Sequence, residues 1–278
     1  MTHAVARLRA ARLARSSKPF LARGGPKGER CPGCRLPPSH CLCTLRPAVA
    51  TRAGMCLIMA DIEPLKPSNT GWLVADVVAD TFAFGWARTE VDPALLALLA
   101  DPQWQPYVVF PGEFVAPGRV VTGLATQEAQ AAQEVQEAQE SASPQPALGQ
   151  LKPVDGLPMP MPMPILNPKP LFILLDATWS EARKMFRKSP YLDALPVLSL
   201  QAGQLSTYRL RRSTHDAHLC TSEVAAACLA LAGEPHAAEV LTAYLDVFTL
   251  HYLNARQQSP VDDGDAVHQR LKELCGRV

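Results

Sequence analysis

Residues 171–188 read LFILLDATWSEARKMFRK, and this stretch decides the fold. The five apolar residues from Leu171 to Leu175 are too few for a helix and show no polar alternation, which is the pattern of a strand buried on both faces of a parallel sheet. The run ends directly in Asp176. Thr178 and Glu181 then stand at capping-box spacing, so a helix is expected to start at Trp179 and run to about Lys188. Strand, polar turn and helix in that order place Asp176 and Thr178 at the carboxyl end of a strand, where open α/β sheets gather their ligands.

The same alternation extends in both directions. Upstream, Met55 to Ala60 is a short apolar run, Leu73, Val74, Val77 and Val78 recur at helical spacing after Thr70, and Thr81 to Ala87 is strand-like. Pro93 to Ala100 has proline at a first helical position, and Tyr107 to Phe110 is another strand. Downstream, Val197 to Gln201 reads as a strand, and Ser222 to Ala232 and Glu239 to Arg256 read as amphipathic helices. In the second helix Leu241, Tyr244, Leu245, Phe248 and Tyr252 form a core stripe. The class is therefore α/β.

One segment breaks the pattern. From residue 125 to residue 170 the chain is first rich in Gln, Ala and Glu and then carries Pro158, Pro160, Pro162 and Pro164 at every second position. Such spacing suits neither a central strand nor a helix, so 125–170 reads as an insertion without chemistry.

With 278 residues, 47% of them hydrophobic, the chain has enough material for one large core. A formal net charge of +1 means that any affinity for nucleic acid must come from local patches. The densest patch is the amino terminus. Residues 1–28 hold Arg7, Arg9, Arg12, Arg15, Lys18, Arg23 and Lys27 and no acidic residue, which reads as a mobile basic arm: an RNA-touching extension, a solubilising tail or a transit-type segment. No apolar run is long enough to span a bilayer, and no secretory core is present near the first residues, so a soluble cytoplasmic protein is expected. Residues 257–278 read as a C-terminal tail.

Four of the eight cysteines, Cys31, Cys34, Cys41 and Cys43, fall within thirteen residues, and the others are scattered among apolar neighbours. Four thiolates at this spacing suffice to close a tetrahedral zinc site, with His40 left over, so residues 29–47 are expected to form a zinc knuckle. The knuckle would then brace the amino terminus or present its basic residues Arg30, Arg35 and Arg46 to RNA.

This cluster, the segment Glu63-Pro64-Leu65-Lys66-Pro67-Ser68-Asn69-Thr70-Gly71 and the motif Asp176-Ala177-Thr178-Trp179 together resemble the DTW-domain family. Ser206 to Arg211 and Thr221-Ser222-Glu223 share in the likeness, which runs from about Cys31 to Arg256 apart from the insertion. One departure is Ala60, where family members often carry histidine after the first strand. The resemblance implies a SPOUT-like knotted α/β domain over 48–256 that holds S-adenosylmethionine. The implied activity is that of a tRNA-uridine aminocarboxypropyltransferase, which moves the 3-amino-3-carboxypropyl group to N3 of a tRNA uridine to give acp3U and methylthioadenosine. A methyltransferase using the same donor, and a zinc-knuckle RNA-binding protein without catalysis, are the rival expectations.

Within that frame the residues take expected roles. Asp176 is a candidate general base for the N3 proton or a scaffold for the turn, with Thr178 beside it. Trp179 is a candidate stacking surface for adenine or the target base, or a core residue. Glu63, Lys66, Ser68, Asn69 and Thr70 form a polar loop suited to the donor. Arg183, Lys184, Arg187 and Lys188, with Arg209 and Arg211, are expected to meet tRNA phosphates. No obligate protein partner is implied.

Overall fold

The computed structural model describes residues 3–17, 20, 28–124, 168–200 and 219–276. Most of the insertion, the segment Ser206 to Arg211 with Arg209 and Arg211, and Arg23 and Lys27 of the amino-terminal extension lie outside the described residues.

Among the described residues six strands form one parallel sheet: β1 (Gly54–Met59), β2 (Thr81–Gly85), β3 (Trp104–Val109), β4 (Val120–Val121), β5 (Lys169–Asp176) and β6 (Val197–Leu198). Their order is β2-β1-β5-β3-β6-β4. The 171–188 stretch thus supplies the strand between β1 and β3, and its register pairs Met59 with Asp176. β5 already begins at Lys169, so the last residues assigned to the insertion belong to the sheet.

Alternation sorts the side chains into two layers. Met55, Leu57 and Met59 of β1, with Phe172 and Leu174 of β5, face one core; Cys56, Ile58, Leu171 and Ile173 face the other. The first core is covered by α1 (Ala4–Ala14), α2 (Gly71–Val77), α5 (Thr221–Leu231), α6 (Pro235–Gln257) and α7 (Ala266–Cys275). The second is covered by α3 (Pro93–Ala100) and α4 (Trp179–Arg187). Phe172 is fully buried at the centre of the first layer, and truncating such a ring costs about 3–5 kcal/mol.

Two terminal expectations are corrected. Ala4–Ala14 is a helix capped by the His3 ring on the Ala6 N–H, and it buries Val5 in the core, so this part of residues 1–28 is not a mobile arm. Residues 266–275 are likewise a helix, capped by Asp265, with His268, Leu271 and Leu274 buried. In both cases two or three apolar residues on one face are enough to dock a short helix against an existing core.

Among the described residues, no helix is long and apolar enough to cross a membrane.

Candidate active site

Parallel strands end on one side of a sheet, and here that side brings distant motifs together. After β1 the chain makes a tight turn at Glu63–Leu65 and reaches α2 through Lys66 to Thr70. Asp176, the last residue of β5, lies beside this loop and is fully buried. Asn69 Nδ2 donates to Asp176 Oδ2 at 2.6 Å, and Thr221 Oγ1, from the first turn of α5, donates to Asp176 Oδ1 at 2.8 Å. Asn69 Oδ1 meanwhile accepts the Trp72 N–H at 3.1 Å, so Asn69 supplies a side-chain cap for α2. The Thr70 hydroxyl instead accepts the Ser222 N–H at 3.3 Å.

Gly71 completes the cluster. A Cβ at this position would stand 2.6 Å from Asp176 Oδ2 and 3.3 Å from Asn69 Oδ1, so only glycine lets the helix start against the carboxylate. Close approach is the reason for this glycine.

The loop is held from behind by two arginines. Arg9 of α1 donates to the carbonyls of Pro64 at 3.2 Å and Leu65 at 2.6 Å. Arg35 donates to those of Lys66 at 2.9 Å and Asn69 at 3.0 Å, while its guanidinium stacks 4.3 Å from the centre of the Trp72 ring. Arg35 is only 2% exposed and adopts φ of 67°, which turns the knuckle inward. Trp72 Nε1 returns a bond to the Gly33 carbonyl at 3.0 Å. Arg30 donates to the Arg35 carbonyl, and Arg46 pairs with Asp76 at 2.9 Å. Of the three knuckle arginines, Arg35 is turned into the protein, while Arg30 and Arg46 each make an internal contact from a partly exposed position.

On the open side of the loop, Lys66 Nζ donates to Glu63 Oε1 at 2.5 Å; the carboxylate is buried and the ammonium is partly exposed. The amino-acid end of S-adenosylmethionine carries one carboxylate and one ammonium. Lys66 offers a partly exposed complement to the carboxylate, and the buried Glu63 orients that ammonium, so the lysine side of the loop fits that group.

Across the strand ends, α4 begins as the sequence predicts. Glu181 Oε2 accepts the Thr178 N–H at 3.1 Å and the Thr178 hydroxyl at 2.5 Å, and that hydroxyl bond above all holds Glu181 below its ordinary pKa. Thr178 is exposed and serves as the cap. Trp179 is 38% exposed rather than core. Its ring stacks on Phe110 at 5.5 Å and 15° and meets Phe114 edge-on at 5.6 Å, while Phe110 stacks in turn on Phe186. Arg183 lies 4.6 Å over the Phe114 ring. Ala182, Met185 and Phe186 are buried, leaving Arg183, Lys184, Arg187 and Lys188 on the exposed face.

The sequence reading missed Phe110, Phe114, Arg9 and Thr221 as members of this region. Phe110 and Phe114 bracket a Pro-Gly turn at the end of β3, which was a usable signal; nothing local marks Arg9.

The four clustered cysteines converge as expected. Sγ separations are 3.6 Å for Cys31 and Cys43, 3.7 Å for Cys34 and Cys41, and 3.5 Å for Cys31 and Cys41, and all four lie within 4.8 Å of one another. Four Zn–S bonds of about 2.3 Å at tetrahedral angles would place sulfurs about 3.8 Å apart, so the set fits zinc. Without a cation, burial pushes the Cys34 thiol up to about 11. His40 takes no part and bonds to the Ser259 carbonyl at 2.8 Å.

The carboxyl edge of a parallel α/β sheet joins these motifs, and the cysteine knuckle braces them from behind. Residues 28–253 match the DTW domain, and the chain belongs to the DTW domain family. It is 35% identical over 103 residues to tRNA-uridine aminocarboxypropyltransferase 2 of Drosophila melanogaster, a stretch covering 37% of this chain and 38% of that protein. No solved structure gives a significant match.

Proposed function

We propose that this chain is a cytoplasmic transferase that moves the 3-amino-3-carboxypropyl group of S-adenosylmethionine to N3 of a tRNA uridine, yielding acp3U and methylthioadenosine. Membership of the DTW domain family and the name of the fly relative support this reading. The observation that carries it is the convergence of the Lys66–Gly71 loop, Asp176 and Thr221 at one edge of the sheet. A SPOUT-like knotted crevice and a structural zinc ion on Cys31, Cys34, Cys41 and Cys43 belong to the same proposal.

When bound, S-adenosylmethionine supplies an electrophilic γ-carbon next to its sulfonium. The protein's task is to present that carbon, and not the methyl group, to the base. Lys66, oriented by Glu63, would hold the carboxylate of the amino-acid end, with Ser68, Asn69 and Thr70 shaping the loop around it. Asp176 is fully buried and accepts from Asn69 on one oxygen and from Thr221 on the other, so in this reading it acts by holding the loop against α5, and the N3 proton leaves to solvent. It is a positioning residue in this mechanism. Trp179, with Phe114 beside it, offers an aromatic face on which the target base stacks. Arg183, Lys184, Arg187 and Lys188 meet the tRNA backbone, and Arg209 and Arg211 are assigned the same role from sequence alone.

The test is direct. Purified protein incubated with S-adenosylmethionine and tRNA should release methylthioadenosine and leave acp3U detectable by mass spectrometry. Release of S-adenosylhomocysteine would make it a methyltransferase, and tRNA binding with neither product would make it a non-catalytic binding protein.

A further inference from the structure

Away from the strand ends, two buried histidines face each other. His251 of α6 and His268 of α7 are 3% and 0% exposed, and their Nε2 atoms lie 2.9 Å apart. The partners of the other ring nitrogens fix the tautomers. His251 Nδ1 stands 3.0 Å from the His40 backbone carbonyl, which only accepts, so Nδ1 carries hydrogen. His268 Nδ1 stands 2.8 Å from Asp265 Oδ1, an N-cap carboxylate that also accepts the His268 backbone N–H at 2.9 Å. That nitrogen is a donor too. In the neutral rings both Nε2 atoms are therefore bare lone pairs directed at one point.

A third ligand stands at the same place. Asp263 Oδ1 is 3.5 Å from His268 Nε2, and the three atoms lie within 4.8 Å of one another. Two buried lone pairs and a carboxylate at their solvent edge repel unless a cation or a proton lies between them. An imidazole whose distal N–H is tied to a carboxylate or a carbonyl is the outer-shell arrangement of metal-bound histidine. Zn–N bonds of about 2.0–2.1 Å at tetrahedral angles would set the two nitrogens about 3.3 Å apart, a few tenths of an ångström from their present separation. The Asp263 side chain is 73% exposed, which gives an ion an entry path and leaves room for water to complete the coordination.

We propose that His251, His268 and Asp263 form a second metal site, for a divalent first-row transition ion of the zinc class. Two imidazoles and one carboxylate are borderline ligands that suit zinc, cobalt or nickel better than calcium or magnesium. The ion would clip α7 and the 258–265 turn onto α6 and, through the His40 carbonyl, onto the rim of the cysteine knuckle. His251 lies within the family match, which ends at residue 253, and Asp263 and His268 lie beyond it. The site does not rest on the proposed transferase activity.

Metal analysis of the full chain after dialysis against dilute zinc tests the idea. Two equivalents per chain are expected. Asp263→Asn, at an exposed position that folding tolerates, should weaken one equivalent by about 10-fold or more, and His268→Gln should remove it, while the other stays with the thiolates. Cobalt loading offers a second readout, because the histidine-held ion should add d–d absorption without adding thiolate charge transfer. A proton shared between the rings is the competing account of the short contact, and it predicts a single zinc. One equivalent bound by the wild-type chain in excess metal, or a second equivalent that survives both Asp263→Asn and His268→Gln, overturns the proposal.

Discussion

Asn69 donates to Asp176 across 2.6 Å, and that bond joins two motifs 107 residues apart into one site. The Asp-Ala-Thr-Trp motif supplies the carboxylate at the end of a central strand. The Glu63 to Gly71 segment supplies an amide that both grips this carboxylate and caps the next helix. Behind the loop, Arg35 carries the hold back to the cysteine knuckle.

The knuckle should therefore matter to donor binding as well as to stability. Replacing Cys41 and Cys43 together by serine should remove the zinc and lower stability by about 2 kcal/mol or more, roughly 5 °C in Tm. The KM for S-adenosylmethionine should rise as well, because the Arg35 fork loses its anchor. Arg35→Lys separates the two effects: zinc content should stay at the wild-type value while KM rises about tenfold, since an ammonium cannot bond both carbonyls and stack on Trp72. An unchanged KM in a folded Arg35→Lys protein would remove the knuckle from the site.

Trp179 makes a different kind of contact. Its ring is partly exposed on a stack that ends in buried Phe186, so removing it should leave the core intact. Trp179→Ala is expected to raise KM for tRNA about tenfold or more, leave the affinity for S-adenosylmethionine unchanged and shift Tm by only a few degrees. Trp179→Phe should recover most of the loss. Equal effects on both substrates would mean that the ring braces the site.

How much of this was legible follows from the range of each signal. β5 and α4 are set by neighbours in sequence, an apolar run and a capping box spanning Thr178 to Glu181, and both stand where residues 171–188 put them. The cysteine cluster was legible for the same reason. Asn69, Asp176 and Thr221 meet only because β1 and β5 pair in register and α5 returns to that edge, and no local pattern encodes that meeting. Arg35 was misread because an arginine near cysteines has the look of a surface cation. Its inward turn depends on the Trp72 ring and on two carbonyls more than thirty residues away. Helix α1 was hidden by its arginines, since Val5 is its one residue in the first core's fully buried set.

His3 and Asp76 form a titrating pair with opposed consequences, their side chains 3.5 Å apart. Burial above all, then the guanidinium charges of Arg35, Arg46 and Arg7, lowers His3 from 6.5 to about 4. Burial raises Asp76 from 3.8 to about 6 against the pull of Arg46 and Arg35. For Asp76 the folded state binds the extra proton, so its stabilisation is present below 3.8 and is lost as pH rises through 6. For His3 the unfolded state binds it, so its stabilisation is present above 6.5 and is lost as pH falls through 4. Between about pH 4 and 6 the two slopes cancel. Asp76→Asn should expose the His3 slope, so that stability relative to wild type rises with pH by on the order of 2 kcal/mol over this window after solvent screening. His3→Gln should expose the opposite slope. Denaturant melts of the three proteins at pH 4.5, 5.5 and 6.5 check both signs, and parallel curves would refute the two shifts.

The position of Asp176 permits a test that separates positioning from proton transfer. Asp176→Asn alone turns an amide towards the donors of Asn69 and Thr221, and should lower stability by about 1–3 kcal/mol and weaken donor binding. The exchanged pair, Asn69→Asp with Asp176→Asn, keeps the geometry. The amide now at the end of β5 would donate to the carboxylate now in the loop and still accept from Thr221, while that carboxylate would still accept the Trp72 N–H. Stability should then return to within about 0.5 kcal/mol of wild type, giving a coupling energy of about 1 kcal/mol or more in a double-mutant cycle. If Asp176 acts by position, the exchanged enzyme should also recover its single-turnover rate at saturating S-adenosylmethionine and tRNA to within a few fold. If Asp176 instead takes the N3 proton, stability would return but the rate would stay down by about 10²-fold, because no carboxylate would stand at the end of β5. Measuring stability and single-turnover rate on wild type, both single variants and the exchanged pair decides between these outcomes, and a restored fold with a lost chemical step would refute the positioning role assigned here.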